Sequence, residues 1–107
     1  MEQIIASAYK VKPEFETDQK RQIVWKHPSI QHLGKVDDIY RLRIGRHHAE
    51  ILHMFGDVVD HTTDGFYTSY GRWVDRYDAA KIAIACGQCQ EPLIMGDRLD
   101  SSDIFYN

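Results

Sequence analysis

The chain has 107 residues, with 16 acidic and 13 basic side chains and a formal charge of −3 while its six histidines stay neutral. A domain that grips long nucleic acid draws most of its affinity from an excess of Lys and Arg against phosphates, and the acidic balance excludes that class. One domain spanning residues 1–107 is the expectation at this length, and the 26 Leu, Ile, Val and Phe residues, about a quarter of the chain, suffice to fold it.

The amino end, Met1 to Lys12, lacks the basic start and apolar run of a secretory signal, and no stretch of 18 apolar residues exists. A soluble intracellular protein is therefore expected, and two cysteines, Cys86 and Cys89, fit a reducing compartment. Gln3 to Lys12 reads as a strand, with Ile5, Ser7, Tyr9 and Val11 on one side and Ile4, Ala6, Ala8 and Lys10 on the other. Pro13 ends it, and the polar stretch to Lys20 makes a turn before a second extended segment, Arg21 to His27, closed by Pro28. Ile39 to Ile44 alternates strictly and predicts a third strand.

Gly45 breaks that pattern, and from Arg46 to Phe55 the period becomes helical, with His48, Leu52 and Phe55 sharing one face. Gly56 suits a left-handed cap at its end. Phe66, Thr68, Trp73 and Val74 around Tyr70-Gly71-Arg72 predict a short hairpin or tight loop. Asp75 then opens a second helix, Arg76 to Cys86, with Asp78 in its first turn as a short capping box and Gly87 as its stop. Its many alanines leave two sides fit for burial, one against the sheet and one against a second subunit or the rest of its own domain. The aromatic end, Ile104 to Tyr106, reads as docked rather than loose.

Three constellations bear on chemistry. Cys86-Gly87-Gln88-Cys89 has the spacing of a redox dithiol or half a zinc site, but it follows a helix carboxyl end, which disfavours thiolate, and no second ligand pair appears. These read as inert thiols, and no metal or other cofactor is expected. Arg46-His47-His48, with Arg41 and Arg43 nearby, lies where a helix start offers free amide hydrogens, and together they make a local anion site. The alternative is a set of solvated strand and helix ends, with one histidine hydrogen-bonded in the core. Five of the twelve aromatic residues fall between Phe66 and Tyr77, interleaved with Arg72 and Arg76. Aromatic faces stack on bases while guanidinium groups fork onto phosphate, so nucleotide recognition is the leading reading of this stretch; the alternative is that Phe66 and Trp73 fill core beneath the hairpin.

Taken together, Ile4 to Lys10, Gly45 to His53, Gly65 to Thr68 with Gly71 to Arg76, and Ala79 to Ala83 with Gly87-Gln88 resemble a family of small bacteriophage proteins, the Thoeris anti-defence sponges. Those proteins bind cyclic ADP-ribose isomers made by bacterial immune enzymes and hold them without cleavage. The polar insert, Pro13 to Lys20, and the Ser101 to Phe105 ending depart from that family's pattern. The resemblance implies an α+β fold, an N-terminal antiparallel β-sheet followed by two helices, in a homo-oligomer that is a dimer or an assembly of dimers. It implies a small cyclic nucleotide as ligand, with some members holding cyclic oligonucleotides at a separate site, and a place in the cytoplasm of the infected host, with no membrane partner. Carried over by position, Arg46 grips phosphate, Phe66 stacks on a base and Asp75 faces a ribose, within a set that includes His47, His48, Arg72 and Arg76. The sequence offers no convincing nucleophile with its base, so no enzyme is expected. Two other classes stay open: a phosphodiesterase with histidine as base and Arg46 steadying charge, and an inhibitor that binds a bacterial defence enzyme directly.

Overall fold

A strand covered on both faces reads as a nearly unbroken apolar run, and β1 (Ile4–Lys10) is buried from Ile4 through Tyr9. The computed structural model describes residues 1–15 and 41–105. The strand expected over Arg21 to His27, most of the polar turn before it, and Ile39, Tyr40 and Tyr106 lie outside those residues. The remaining elements are β2 (Leu42–Gly45), α1 (His48–Phe55), β3 (Gly65–Thr68), β4 (Trp73–Asp75) and α2 (Arg76–Ala85). They build an α+β fold around a four-stranded antiparallel sheet ordered β2-β1-β3-β4.

The strict alternation expected of β1 does not hold. Its pairing with β3 shifts register between Ile4 and Ala6, and this irregularity puts the consecutive Ile5 and Ala6 into one cluster with Ala8, Leu42, Ile44 and Tyr67. Ile4 instead joins Phe66, Val74, Leu93 and Leu99 beneath Ala79, Ala80 and Ala83 of α2. Tyr9 packs under α1 with Ile51, Phe55, Val58 and Val59. Among the described residues both helices thus cover one face of the sheet, and Leu42, Tyr67 and Trp73 belong to the other.

The helix ends follow from local chemistry. Helix α1 begins two residues later than the periodicity predicts, at His48, and the Glu50 carboxylate accepts from the His47 amide at 3.3 Å. Gly56 stays right-handed, at φ −58°, so the expected left-handed cap is absent; a side chain there would strike the Leu52 carbonyl at 2.5 Å, and glycine supplies space instead. At α2 the Asp75 Oδ1 accepts from the Asp78 amide at 2.8 Å, as a cap should. Its other end closes through Gly87 N–H to the Ile84 carbonyl and Gln88 N–H to the Ala83 carbonyl, with Gly87 at φ +81°. The Gln88 amide then pairs with the Ile4 backbone in both directions, at 2.8 Å each, in the manner of a strand partner. Leu93, Leu99 and Ser101 after α2 are buried, and of the aromatic end expected to dock, Ile104 packs on the α2 cluster. Among the described residues no helix is long and apolar enough to cross a membrane.

Candidate functional site

The registers decide which side chains meet at one end of the sheet. Lys10 lies opposite Leu42, and Tyr67 lies opposite Trp73, which brings Lys10, Leu42 and Trp73 to the face opposite α1 and α2. A cavity of about 550 Å³ opens there. Trp73 supplies its aromatic wall, half-buried, with the indole N–H donating to the Thr63 carbonyl at 3.1 Å. The indole passes so close to Gly65 that a β-carbon at that position would lie 2.6 Å from two ring atoms and 2.3 Å from the Val74 carbonyl oxygen. Only glycine permits the tryptophan to cross β3 in this way.

Charge on the walls is mixed. Among the described residues, Lys10, Arg41 and Arg72 are its cations and Asp60 its one carboxylate. The Lys10 ammonium sits 4.2 Å from the Trp73 ring centroid, a cation–π contact that fixes a positive charge beside the aromatic face. Arg72 forks onto Glu2, with Nε and one terminal nitrogen each 2.7 Å from a carboxylate oxygen, and Thr68 donates to the same carboxylate. Those bonds, that from Arg72 foremost, hold the Glu2 carboxyl below its ordinary range. The turn that carries Asp60 is stitched to β1: the Asp60 amide donates to the Lys10 carbonyl at 2.9 Å, and the Lys10 amide donates to the Thr63 hydroxyl at 2.9 Å. Asp60 Oδ1 accepts from both the amide and the hydroxyl of Thr62, and these bonds keep the carboxyl low as well. An indole, three cations and one oriented carboxylate around such a volume suit a small anionic ligand with a flat ring.

Of the seven residues assigned to ligand binding, only Arg72 lines this cavity, together with Arg41, which the sequence placed beside Arg46 in the anion site. Arg46 and His47 stand half-buried before α1, and the Arg46 carbonyl accepts from the Ser7 hydroxyl at 2.9 Å. Asp75 is exposed and occupied in capping α2. His48, Phe66 and Arg76 do come together, but inside the protein on the helix face. Phe66 is wholly buried, so its ring offers no face to a base and the stacking role expected of it does not fit this placement. The Phe66 ring instead meets the edge of His48, with centroids 5.0 Å apart, and lies 5.9 Å from the Arg76 guanidinium carbon. Arg76 donates to Asp64 at 2.5 Å and to the Leu99 carbonyl at 2.7 Å, tying α2 to the segments on either side of it.

His48 is the hydrogen-bonded core histidine of the alternative reading. Nε2 lies 2.7 Å from the Gly65 carbonyl, which can only accept, so Nε2 carries the proton. Nδ1 lies 2.7 Å from the Ser101 hydroxyl, which in turn lies 2.8 Å from the Ser7 hydroxyl. Burial first, and then the Arg76 charge, push the imidazole down from 6.5 to about 4. The cysteines are free thiols beyond the carboxyl end of α2, and burial raises that of Cys89.

Lys10, Asp60 and Thr63 escaped the sequence reading, and Trp73 was divided between core and pocket. It serves both: the indole packs against the cluster of Ile5, Ala8, Leu42 and Tyr67 and walls the cavity. Compared with known families, residues 3–106 match the family of the phage T4 y16D protein. No curated protein and no solved structure matches the chain.

Proposed function

The chain belongs to the phage T4 y16D protein family, and on that premise we propose that it is an anti-defence sponge, which binds a cyclic nucleotide immune signal in the cytoplasm of the infected host and withholds it without cleavage. The preferred ligand is a cyclic ADP-ribose isomer, with cyclic oligonucleotides as the next class. The observation that carries this reading is the cavity of about 550 Å³ in which Trp73 stands beside Lys10, Arg41 and Arg72. A base stacked on the indole gains roughly 1–3 kcal/mol, and cations beside it answer the phosphates that a cyclic nucleotide keeps close to its base. The volume lies inside the range of small-ligand pockets. Holding without cleavage accords with the placement of His48, whose two ring nitrogens are engaged on the opposite face of the sheet.

Native mass spectrometry of the intact protein with a panel of cyclic ADP-ribose isomers and cyclic dinucleotides tests the proposal, and reports in the same spectrum whether a homo-oligomer binds. The expected result is a retained nucleotide that returns chemically intact after heat denaturation and is no longer retained by Trp73→Ala. Release of a ring-opened product would replace the sponge with a phosphodiesterase. Failure to retain any member of the panel would overturn the proposal and leave the direct inhibitor of a defence enzyme as the reading to pursue.

A further inference from the structure

We propose that Asp60 is the specificity-determining residue of the Trp73 cavity, admitting anions that carry hydroxyl or amino donors beside their phosphates and turning away bare polyphosphates. This deepens the sponge reading and rests on it for the nucleotide ligand, although its anion-exclusion half stands on the cavity alone. A pocket built only to hold phosphate would gain nothing from a carboxylate in its wall, because an ionised acid repels the anion that the neighbouring cations attract. Yet Asp60 shares the lining with Lys10, Arg41 and Arg72.

Its orientation is fixed from several sides. Oδ1 takes the Thr62 amide at 2.9 Å and the Thr62 hydroxyl at 2.7 Å, and the Asp60 carbonyl accepts from the Thr63 hydroxyl at 2.6 Å. Among the described residues Oδ2 accepts no hydrogen bond, so one carboxylate oxygen remains to meet a ligand. The Thr62 bonds also favour the ionised form, which is an acceptor only. Such an oxygen rewards a ribose hydroxyl or an exocyclic amine and penalises another oxyanion. Discrimination of this kind is strong, since a site built to pair a hydroxyl leaves its own charge unpaired when the hydroxyl is missing. A nucleotide offers both halves of what the walls ask for: phosphates for the cations and donors for Asp60. Pyrophosphate offers only the first.

Titration calorimetry of wild type and Asp60→Asn, with cyclic ADP-ribose isomers, cyclic dinucleotides and inorganic pyrophosphate as separate probes, decides the matter. Asparagine remains a good cap and keeps an oxygen for Thr62, so the turn survives the change; equal melting temperatures of the two proteins check this. The expected outcome is that the variant loses roughly ten- to a hundredfold in affinity for the nucleotide that wild type binds, the range of one hydrogen bond to a charged group, and gains measurable binding of pyrophosphate that wild type lacks. Asp60→Ser, also a cap former, is expected to show the same gain. Wild-type binding of pyrophosphate, or its continued rejection by both variants, would overturn the role of Asp60. Absence of nucleotide binding by wild type, with pyrophosphate still gained by the variants, would instead remove the sponge reading and leave the exclusion role in place.

Discussion

Lowering the pH from 7 to 5 is expected to weaken the folded state through His48, and the structure gives both sign and size. The imidazole has a value of about 4 in the folded chain against 6.5 when exposed, so in that interval the unfolded chain binds more protons and stability falls as pH falls. The full gap is worth about 3 kcal/mol below pH 4, of which about 2 kcal/mol is lost between pH 7 and 5. Glu2 and Asp60 are held below 4.5 and 3.8 respectively, so their contributions vanish chiefly in more acidic solution, and among the described residues His48 is the group shifted within this window. A second force runs the other way. The chain of contacts from the Arg46 carbonyl through Ser7, Ser101 and His48 to the Gly65 carbonyl has four links. Two hydroxyls and a neutral imidazole supply three protons for it, whereas an imidazolium would supply the fourth. Burial and the adjacent Arg76 outweigh that missing proton here. Urea denaturation at pH 7 and 5, for wild type and for His48→Gln, isolates the effect: wild type loses about 2 kcal/mol more than the variant. A wild-type stability that rises on acidification would refute the reasoning, because it would mean that completing the hydrogen-bond chain dominates desolvation.

The two aromatic residues should separate cleanly. Phe66→Ala empties a wholly buried site and is expected to cost about 3–5 kcal/mol in urea denaturation, whereas Trp73→Ala removes ligand retention while the protein remains folded by circular dichroism. Gln88→Ala removes both bonds to the Ile4 backbone and strips the edge of β1 of its partner; a loss of about 1–3 kcal/mol is expected in the same measurement. Asp75→Ala deletes the cap of α2 and should cost about 1 kcal/mol without changing ligand affinity, since Asp75 does not line the cavity. Gly65→Ala drives a β-carbon into the indole and the Val74 carbonyl, so a lower melting temperature and an altered tryptophan emission are expected together.

Local signals were the legible ones. The Asp75 cap and the Gly87 stop of the alanine-rich helix are statements about a single turn of chain, and the structure carries both, although Asp78 shows no return bond of a capping box. The hairpin around Gly71 is equally local, with Thr68 and Arg72 bonded across it. What depends on register was not legible. Nothing in the run from Ile4 to Ala8 reveals that an irregular pairing puts Ile5 and Ala6 on one side, because that is settled by which residue of β3 lies opposite. The cavity has the same origin. Lys10 reaches Trp73 across β3, and Asp60 reaches Lys10 through a turn stitched to β1, so three residues scattered over 64 positions of sequence converge only after pairing.

The arginine-aromatic interleaving spans two environments: Phe66 is wholly buried, and Trp73 lines the cavity. Between Phe66 and Trp73 the strands alternate faces, and one of those faces is closed by α2 while the other carries the cavity. Composition cannot tell them apart, since both are large aromatic residues near an arginine. The distinguishing residue is Gly65. Its carbonyl is the acceptor for buried His48, and its missing side chain is the space that Trp73 crosses. One glycine therefore touches both the internal polar chain on the helix face and the aromatic wall on the other. Its lack of a side chain leaves room for the indole that walls the cavity, and its carbonyl anchors the histidine that the sequence had placed among the ligand-binding residues.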